Sequence, residues 1–484
     1  AERHFRPAIL ISLEPDGTGR GSGRGIPGFD LLSALRECGE HLVRFGGHRA
    51  AAGLEIEAGR VDAFREAFVA RAAESLRPGD LVRTETVDAV VGGDRLGHDT
   101  AEELERLGPF GVGNPGVRLL VPAARMGDVR PMGDGKHARF SVHSGAARAL
   151  GVAFGVNGSL STIDDSPVDL SVCLELNQWN GAVEPRVVLN ELYPISASAA
   201  RCAEPADGDE WWERFEAERG AELDRWPPPV PAGGGSGVTR EVVERAGGSG
   251  VATLADLVSS GSPVIALCAD ASRRAALAER ADPRRFGCGP PAHACGRCAQ
   301  DALAGRLGEV AAAGAGLVLA DWAALGRAPA LLATFEHVVL VDPPPFAHLR
   351  DRVAAGPGYL HLTWGNSELE FAQRAHGAAW ELRPALRSVY SGLRKSPGAP
   401  RGEELIAALA GGGAHPRTPE EAGRCARVLE ELELLLWDGT GADRSLRVVS
   451  SEATDLERSE AYLAYRARHE EGATFLSRQR RRAA

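Results

Sequence analysis

Residues 21–25 read Gly-Ser-Gly-Arg-Gly, and residues 44–53 read Arg-Phe-Gly-Gly-His-Arg-Ala-Ala-Ala-Gly. The first motif follows a strand-like run at residues 8–13, so we expect it to form a glycine-rich loop. Successive backbone N–H groups in such a loop can surround an anion. Ser22 would add a hydroxyl and Arg24 a planar cation, which together suit a phosphate, although many glycine-rich loops only turn the chain.

The second motif carries a histidine between small residues. Gly46 and Gly47 would let the backbone approach a ligand closely, and His48 could donate a hydrogen bond to a phosphate oxygen. The simpler alternative is a tight turn with a histidine on the surface.

With one helix predicted after the first motif and another over residues 61–72, residues 1–80 are predicted to form an α/β domain.

Residues 81–195 have the pattern of a small barrel. Strand-like runs alternate apolar and polar residues, and Gly133-Asp-Gly135 and Asn180-Gly181 are strong turn signals between them. Five such short strands fit an OB-fold, a barrel that binds oligonucleotides. The predicted strands are residues 117–121, 138–143, 148–154, 168–176 and 186–192, with a further alternating run at 81–91 and a helix at 99–107.

Taken in this order, the motifs resemble those of a known family. The first motif, the run Ile-Pro-Gly-Phe-Asp-Leu at residues 26–31 and the second motif are similar to the DHHA1 domain of the DHH phosphoesterases. The OB-like segment is similar to the OB-fold that follows DHHA1 in the bacterial members that degrade single-stranded DNA. This second similarity rests on residues 107–120, 129–140 and 174–181. Another alternative is a small-nucleotide phosphodiesterase or a tRNA-editing protein of the same family. Neither protein needs a barrel that follows a nucleic-acid strand, so the OB-like segment argues against this alternative.

The resemblance implies a 5′→3′ exonuclease of DNA recombination and repair that uses two Mn²⁺ or Mg²⁺ ions to activate water. In the family, Asp and His residues of an N-terminal DHH domain hold these metals, and no Asp-His-His triplet occurs in the 484 residues. The methionines are Met126 and Met132, and a strand-like run begins almost at once. We therefore expect the N-terminal catalytic part of a larger protein to be absent and this chain alone to be inactive.

What the resemblance carries over is the substrate side. Ser22 and Arg24 match the family's GSGRS-type loop, which holds DNA phosphates, and the last residue of that loop is Gly25 here. Residues 46–48 match its GGH motif beside the scissile phosphate.

OB-folds hold single strands with a charged groove and with aromatic side chains on which bases stack. Lys136 and Trp179 lie in predicted turns and Arg139 lies on a predicted strand, and we expect these three to contact DNA. Phe140 and Phe154 are candidates as well, but phenylalanines on these strands are more typical of a core. Further candidates are Arg130, His137 and Arg186.

Residues 196–237 combine an acidic, tryptophan-bearing helix with proline and glycine/serine runs, which predicts a linker. Residues 238–390 alternate strands and helices like a doubly wound parallel sheet and loosely resemble the RecA-like domains of helicases. Asp342 follows a buried-strand run, as a Walker-B carboxylate would. No Walker-A loop occurs, so we expect a degenerate domain that contacts DNA or protein rather than an ATPase. The predicted strands are residues 264–268, 316–320, 337–341 and 359–363.

A cysteine cluster is the candidate metal site of this segment. Cys288, Cys295 and Cys298 lie close together around His293, and Cys268 lies twenty residues upstream. A structural Zn²⁺ is chemically reasonable, but a zinc ribbon would have two CxxC pairs. The alternative for Cys268 is a small apolar side chain at the end of a buried strand.

Residues 391–484 are predicted to be helical with a small hairpin, which favours a winged-helix-like unit. The predicted helices are residues 403–409, 419–437 and 456–468, the hairpin strand is 446–449, and a basic tail follows at 478–482. The whole chain is thus predicted to be an α/β multidomain protein.

The composition narrows the classes of function. The formal net charge of −11 excludes a generally basic nucleic-acid coat but not a local basic groove. No long apolar run and no secretory signal occur, so we expect a cytoplasmic protein with no membrane partner. The expected partners are single-stranded DNA and either a single-strand-binding protein or another repair factor. The alternative to a nuclease fragment is a non-enzymatic module that binds single strands or a partner.

Overall fold

The computed structural model divides the chain into two compact units, Ala1–Thr86 and Val87–Ala484. The side chains at positions 179, 306, 307, 311 and 329–331 lie outside the description. In the described part of the chain, no helix is long and apolar enough to cross a membrane. The described residues are 1, 4–82, 85–156, 160, 166–179, 181–195, 208–227, 238–245, 248–396, 398–438, 444–450 and 454–479.

The first unit is a four-stranded antiparallel sheet with two helices, ordered β1-β2-β4-β3. The Asp30 carboxylate accepts a hydrogen bond from the Ser33 N–H at 3.0 Å and caps the first helix, as is typical of Asp at this position. Both helices bury apolar side chains, among them Leu35 and Phe64, with the inner face of the sheet. The elements are β1 (Ala8–Leu13), β2 (Thr18–Arg24), α1 (Leu31–Glu37), β3 (Arg44–Gly47), β4 (Ala51–Glu57) and α2 (Val61–Ser75).

The glycine-rich motif is a strand and not the predicted loop. It forms β2 between β1 and β4, and none of its glycines at 19, 21 and 23 has a positive φ. A Cβ on Gly21 would lie 2.8 Å from the Leu54 side chain, and one on Gly23 would lie 3.0 Å from that of Leu31. The glycines are therefore needed because neighbouring apolar side chains occupy the space above β2.

The second unit begins with a closed barrel. The sheet runs β5-β6-β7-β8-β10-β9, and β9 also pairs with β6, so that β6 to β10 close on themselves. Five predicted strands are confirmed, but the alternating run at 81–91 is not one strand: only Ala89–Val90 pairs, and residues 83–84 lie outside the description. The elements are β5 (Ala89–Val90), α3 (His98–Glu105), β6 (Leu119–Met132), β7 (His137–Ser144), β8 (Ala147–Ala153), β9 (Val168–Trp179) and β10 (Ala182–Pro194).

A parallel six-stranded sheet with flanking helices follows, which confirms the α/β prediction. Its order is β11-β16-β15-β12-β14-β13, and an apolar contact of Val90 and Leu120 with Ala255 joins it to the barrel. Sequence analysis missed its two edge strands. The elements are α4 (Gly208–Arg219), β11 (Glu241–Glu244), α5 (Gly250–Ser259), β12 (Pro263–Cys268), α6 (Ala275–Arg280), β13 (Ala292–Ala294), α7 (Gln300–Ala313), β14 (Gly316–Asp321), α8 (Trp322–Arg327), β15 (His337–Leu340), α9 (Ala347–Ala354) and β16 (Tyr359–Leu362).

The C-terminal part is helical with one hairpin. The predicted helix 419–437 ends at Glu431, because Glu433 takes a left-handed φ of +55° and the chain then enters the hairpin. Trp211 and Phe215 of α4 are buried among these helices, so this part of the predicted linker belongs to the core. The elements are α10 (Asn366–Trp380), α11 (Leu382–Lys395), α12 (Gly402–Ala410), α13 (Pro419–Glu431), β17 (Leu435–Asp438), β18 (Ser445–Val448) and α14 (Glu460–Gln479).

Candidate nucleic-acid interface

The two glycine motifs lie side by side in the first unit. The register pairs Ser22 of β2 with Gly53 of β4, and Gly53 with Gly46 of β3. Ser22 and Arg24 are exposed, and the Arg24 Nη1 donates to the Ser22 Oγ at 3.2 Å. Because neighbouring strands are about 4.8 Å apart, Ser22 and Gly46 are separated by about 10 Å.

Gly47 ends β3, and His48 begins the turn that joins β3 to β4. The His48 N–H donates to the Ala51 carbonyl at 2.8 Å, and the imidazole is exposed. Gly47 has a φ of +148°, and a Cβ there would lie 2.5 Å from both the Ala51 oxygen and the Ala52 Cα. The turn therefore requires glycine at position 47, and it presents His48 to solvent.

The outer face of β7 and β8 is the cationic surface of the barrel. Arg139 is exposed on β7 and pairs in register with Arg130 of β6 on one side and with Val152 of β8 on the other. Within the described ranges, neither arginine has an ion pair. Lys136 is exposed in the turn between β6 and β7, which the left-handed Gly133-Asp-Gly135 run forms.

Aromatic rings lie at the end of the same face. Phe154 is 53% exposed, so the prediction of a core position is wrong for it, whereas Phe140 is buried as expected. The His137 ring packs edge-on against Phe154 with 5.4 Å between centroids, and its Nδ1 accepts a hydrogen bond from the Gly155 N–H. Phe154 thus has a supported orientation and an open ring face. Trp179 ends β9, and its side chain lies outside the description.

Two further arginines of the barrel are already paired. The Asp128 carboxylate accepts from Arg148 at 2.8 Å, and Arg186 is bound to Glu175 on β9. The hydrogen bond from Ser141 and then the contact with Arg148 hold the pKa of Asp128 below its ordinary value. Arg186 is therefore a weaker DNA candidate than the sequence suggested. Sequence analysis missed Arg148. This side chain is exposed on β8, on the face opposite to the buried Gly151 and Ala153.

The cysteine cluster gives the zinc hypothesis no support. In the part of the chain that the structure describes, no group of three or more His, Cys, Asp and Glu side chains is arranged to hold a metal ion. Burial raises the pKa of the Cys268 thiol well above its ordinary value, and the thiol donates to the Ala320 carbonyl. The sulfurs of Cys295 and Cys298 are 3.4 Å apart, and Cys288 is half-buried.

Asp342 is not placed like a free Walker-B carboxylate. It is fully buried, and it accepts hydrogen bonds from Arg274 at 2.5 Å and from the Ala269 N–H at 2.9 Å. Burial raises its pKa to about 6 although Arg274 acts in the opposite direction. The hydrogen bond from Arg274, the residue before α6, links the start of this helix to the sheet.

The residues present do not fit the catalytic Mn²⁺ or Mg²⁺ pair that the family implies. The sequence has no Asp-His-His triplet, and the described residues include no metal-binding group.

A closed five-stranded barrel in which β8 and β10 are parallel defines the second unit's first part as an OB-fold. Residues 87–191 match the family model described as the RecJ OB domain. The curated relatives of this chain carry the name single-stranded-DNA-specific exonuclease RecJ. The protein from Bacillus subtilis is 30% identical over 194 residues, which are 39% of this chain and 25% of that protein. The protein from Dickeya dadantii is 32% identical over 202 residues, 40% of this chain and 34% of that protein.

The chain is thus related to RecJ over about 40% of its length, and the matched part spans a quarter to a third of these relatives. Crystal structures of Thermus thermophilus RecJ with Mg²⁺ and with Mn²⁺ align over 97% of this chain at 17% and 16% identity, covering 49% and 47% of those chains. Both TM-scores are 0.34.

Proposed function

We propose that this chain binds single-stranded DNA and is the strand-holding part of a RecJ-like 5′→3′ exonuclease of recombination and repair. The observation that carries this proposal is the outer face of β7 and β8 in a RecJ-type OB barrel, where cations that have no ion pair with any described residue lie beside an exposed ring. OB-folds bind oligonucleotides with their second and third strands, and β7 and β8 are the second and third strands of this barrel.

The division of labour on this face follows from the chemistry of the side chains. Arg130, Arg139 and Lys136 would neutralise backbone phosphates, a contact that does not depend on sequence and weakens with salt. Phe154 would stack against a base, which contributes about 1–3 kcal/mol per base and is insensitive to salt. Trp179, at the turn between β9 and β10, stays a second stacking candidate.

The first unit would hold phosphates separately. Ser22 offers a hydroxyl, Arg24 a guanidinium and His48 an imidazole, all exposed on one antiparallel sheet. The glycines at positions 46 and 47 leave the backbone beside them accessible, as the family's GGH motif would require.

Hydrolysis would belong to the larger RecJ-type protein, with its Mn²⁺ or Mg²⁺ on a DHH domain, and we expect this chain alone to bind without cutting. A cytoplasmic location and contact with a single-strand-binding protein or other repair factors are part of the same proposal. The alternative function is a non-enzymatic module for single strands or a protein partner.

Fluorescence anisotropy with a 5′-phosphorylated single-stranded oligonucleotide tests the proposal, with Mn²⁺ present and the products run on a gel. The variant Arg139→Gln should weaken binding and reduce the slope of log K against log salt by about 0.7. Phe154→Ala should weaken binding by about 1–3 kcal/mol with the slope unchanged. Arg387→Gln, which removes an exposed arginine from α11, is the matched control and should bind like the parent chain.

The outcomes separate the candidate functions. Salt-dependent binding without cleavage supports the strand-holding role. No binding, or equal losses in Arg139→Gln and Arg387→Gln, would contradict the β7–β8 site. Mn²⁺-dependent cleavage would show that the chain contains a metal site of its own.

A further inference from the structure

A polar network crosses three strands on the outer face of the barrel. The Ser141 Oγ on β7 lies 3.1 Å from a carboxylate oxygen of Asp128 on β6 and 2.9 Å from the Nε2 of His143 on β7. The same Asp128 oxygen accepts a hydrogen bond from Arg148 on β8 at 2.8 Å. The network therefore links an imidazole to an ion pair through one hydroxyl.

The backbone of β6 leaves room for this network. The register of β6 against β7 shifts between Gly127 and Arg130, and Asp128 in this bulge has a φ of +52°. A bulge redirects side chains from the regular alternation of a strand, and here Asp128 reaches Ser141. A Cβ on Gly127 would lie 3.1 Å from the Ser141 Oγ and 3.3 Å from the His143 Nε2, so a larger residue would crowd the hydrogen bond between them.

The hydrogen bonds determine which nitrogen of His143 carries the proton in the neutral ring. The lowered pKa of Asp128, whose first cause is the hydrogen bond from Ser141, means that this carboxylate is ionised at neutral pH and only accepts. Ser141 has one hydroxyl hydrogen, which it donates to Asp128, so its Oγ must accept from the Nε2–H of His143. No described residue hydrogen-bonds to the Nδ1 of this exposed side chain, and a second proton would go to that atom.

Two arginines lie beside His143 on this face. Arg125 of β6 and Arg148 of β8 are its register partners on the two sides, and both are exposed. These cations disfavour a proton on the ring of the free chain, whereas Asp128 favours one. A phosphate bound at this face would offset the arginine charges and accept from the Nδ1–H. Phosphate binding therefore favours the protonated ring.

The charged residues of a nearby turn do not face His143. Asp94 and Arg95 form this turn with a glycine that packs against the side chain of Ser144. Ser144 is buried and follows His143 on β7, so it points to the opposite face of the strand. The ring thus has the two arginines and Asp128 as its charged neighbours among the described residues of β6 and β8.

We propose that His143 is a phosphate ligand of the β7–β8 face and takes up a proton from solvent when single-stranded DNA binds. The proton goes to the Nδ1, and the new N–H donates to a phosphate oxygen of the strand. Asp128 and Ser141 are positioning residues, because they hold the ring by its other nitrogen. The inference rests on the proposed function, since it assigns a further ligand to the same binding face.

Anisotropy of the full chain with a labelled single strand, in a salt series at about pH 6 and about pH 8, tests the proposal, because histidine changes charge in this range. A ring that is protonated in the complex makes the affinity rise as the pH falls. At about pH 6, His143→Gln should bind about two- to fivefold more weakly than the parent chain, with a slope of log K against log salt shallower by about 0.7. Both differences should shrink at about pH 8.

Two variants and a proton count complete the test. His143→Arg carries a permanent charge and should keep the steeper slope at both pH values. His98→Gln, at an exposed position of α3, is the matched control and should show the pH dependence of the parent chain. Isothermal titration in two buffers of different ionisation enthalpy counts the protons taken up on binding. The parent chain should take up a fraction of a proton that His143→Gln does not.

The outcomes separate this inference from the proposed function. If the chain binds the strand but His143→Gln takes up as many protons and keeps the same pH dependence, the role of His143 is wrong and the strand-holding function stands. Equal changes in His143→Gln and His98→Gln would overturn the inference in the same way. No binding at either pH would overturn both. Circular dichroism establishes that each variant is folded, and His143→Arg decides the matter if His143→Gln is not.

Discussion

Asp128→Asn tests the position of the proposed DNA site through charge alone. Asp128 lies in a bulge of β6 with a φ of +52°, a conformation that Asn also adopts. Its carboxylate accepts hydrogen bonds from Ser141 at 3.1 Å and from Arg148 at 2.8 Å. The lowered pKa of Asp128 means that the group is charged at neutral pH and neutralises Arg148. The amide keeps the shape of the side chain and leaves the Arg148 guanidinium without its counter-charge, on the same outer face that carries Arg139.

The size of the effect follows from counterion release. One additional phosphate contact steepens the slope of log K against log salt by about 0.7 for a single strand. Between about 50 and 200 mM salt, one such contact therefore changes the affinity by about 2.6-fold. We expect Asp128→Asn to bind single-stranded DNA about two- to fivefold more tightly at the lower salt concentration, with the advantage shrinking as salt is added.

The assay is anisotropy of a labelled single strand over a salt series. Glu175→Gln is the matched control, because it makes the same change in net charge but releases Arg186 on β10 instead. If the strand lies on β7 and β8, Asp128→Asn steepens the slope and Glu175→Gln does not. The reasoning is refuted if the two variants steepen it equally, since net charge alone would then explain the gain, or if Asp128→Asn leaves it unchanged.

Two further predictions concern stability. Gly47→Ala should destabilise the first unit by about 1–3 kcal/mol, because a Cβ would meet the Ala51 oxygen, and amide hydrogen exchange in that unit measures the loss. Gly46→Ala is the control, because a Cβ there has open space and should leave the exchange unchanged. Burial lowers the pKa of His361 to about 4, so the folded state favours the neutral ring. The free energy of unfolding therefore falls as the pH drops below about 6.5, by on the order of 2 kcal/mol at about pH 5. The free energy of unfolding in urea, compared between about pH 5 and a pH above about 6.5, measures this loss. His361→Gln should reduce the loss, and His98→Gln, at an exposed position, should not.

The barrel and the parallel sheet were predictable because their signals are local. Alternation of apolar and polar residues sets the faces of β6 to β10, and Gly133-Asp-Gly135 adopts the left-handed conformations that a tight turn needs. The strands β12 and β14 are apolar runs that are buried except at Pro263, and β14 ends in the buried Asp321. The edge strand β11 was missed because its two valines lie between exposed glutamates, and β13 was missed because it has three residues, two of them alanine.

The first motif shows why glycine misled the prediction. A glycine can serve a backbone that needs a positive φ, or it can leave room for a neighbour, and the sequence does not separate these uses. Gly47 is the first case, with its φ of +148°. Gly21 is the second, because the Leu54 side chain that fills its space comes from β4, thirty-three residues later. Only the strand pairing reveals which use applies.

The placement of charges limits what the sequence predicts about the proposed DNA site in the same way. The chain carries a net charge of −11, yet exposed charges separated by more than about 8–10 Å are largely screened from each other at physiological salt. What a bound phosphate experiences is therefore the local pairing of each arginine. Arg139 and Arg186 are equivalent in the sequence, but Glu175 neutralises Arg186 across the β9–β10 pair while Arg139 faces Arg130. A count of arginines cannot make that distinction, and the register of the strands can.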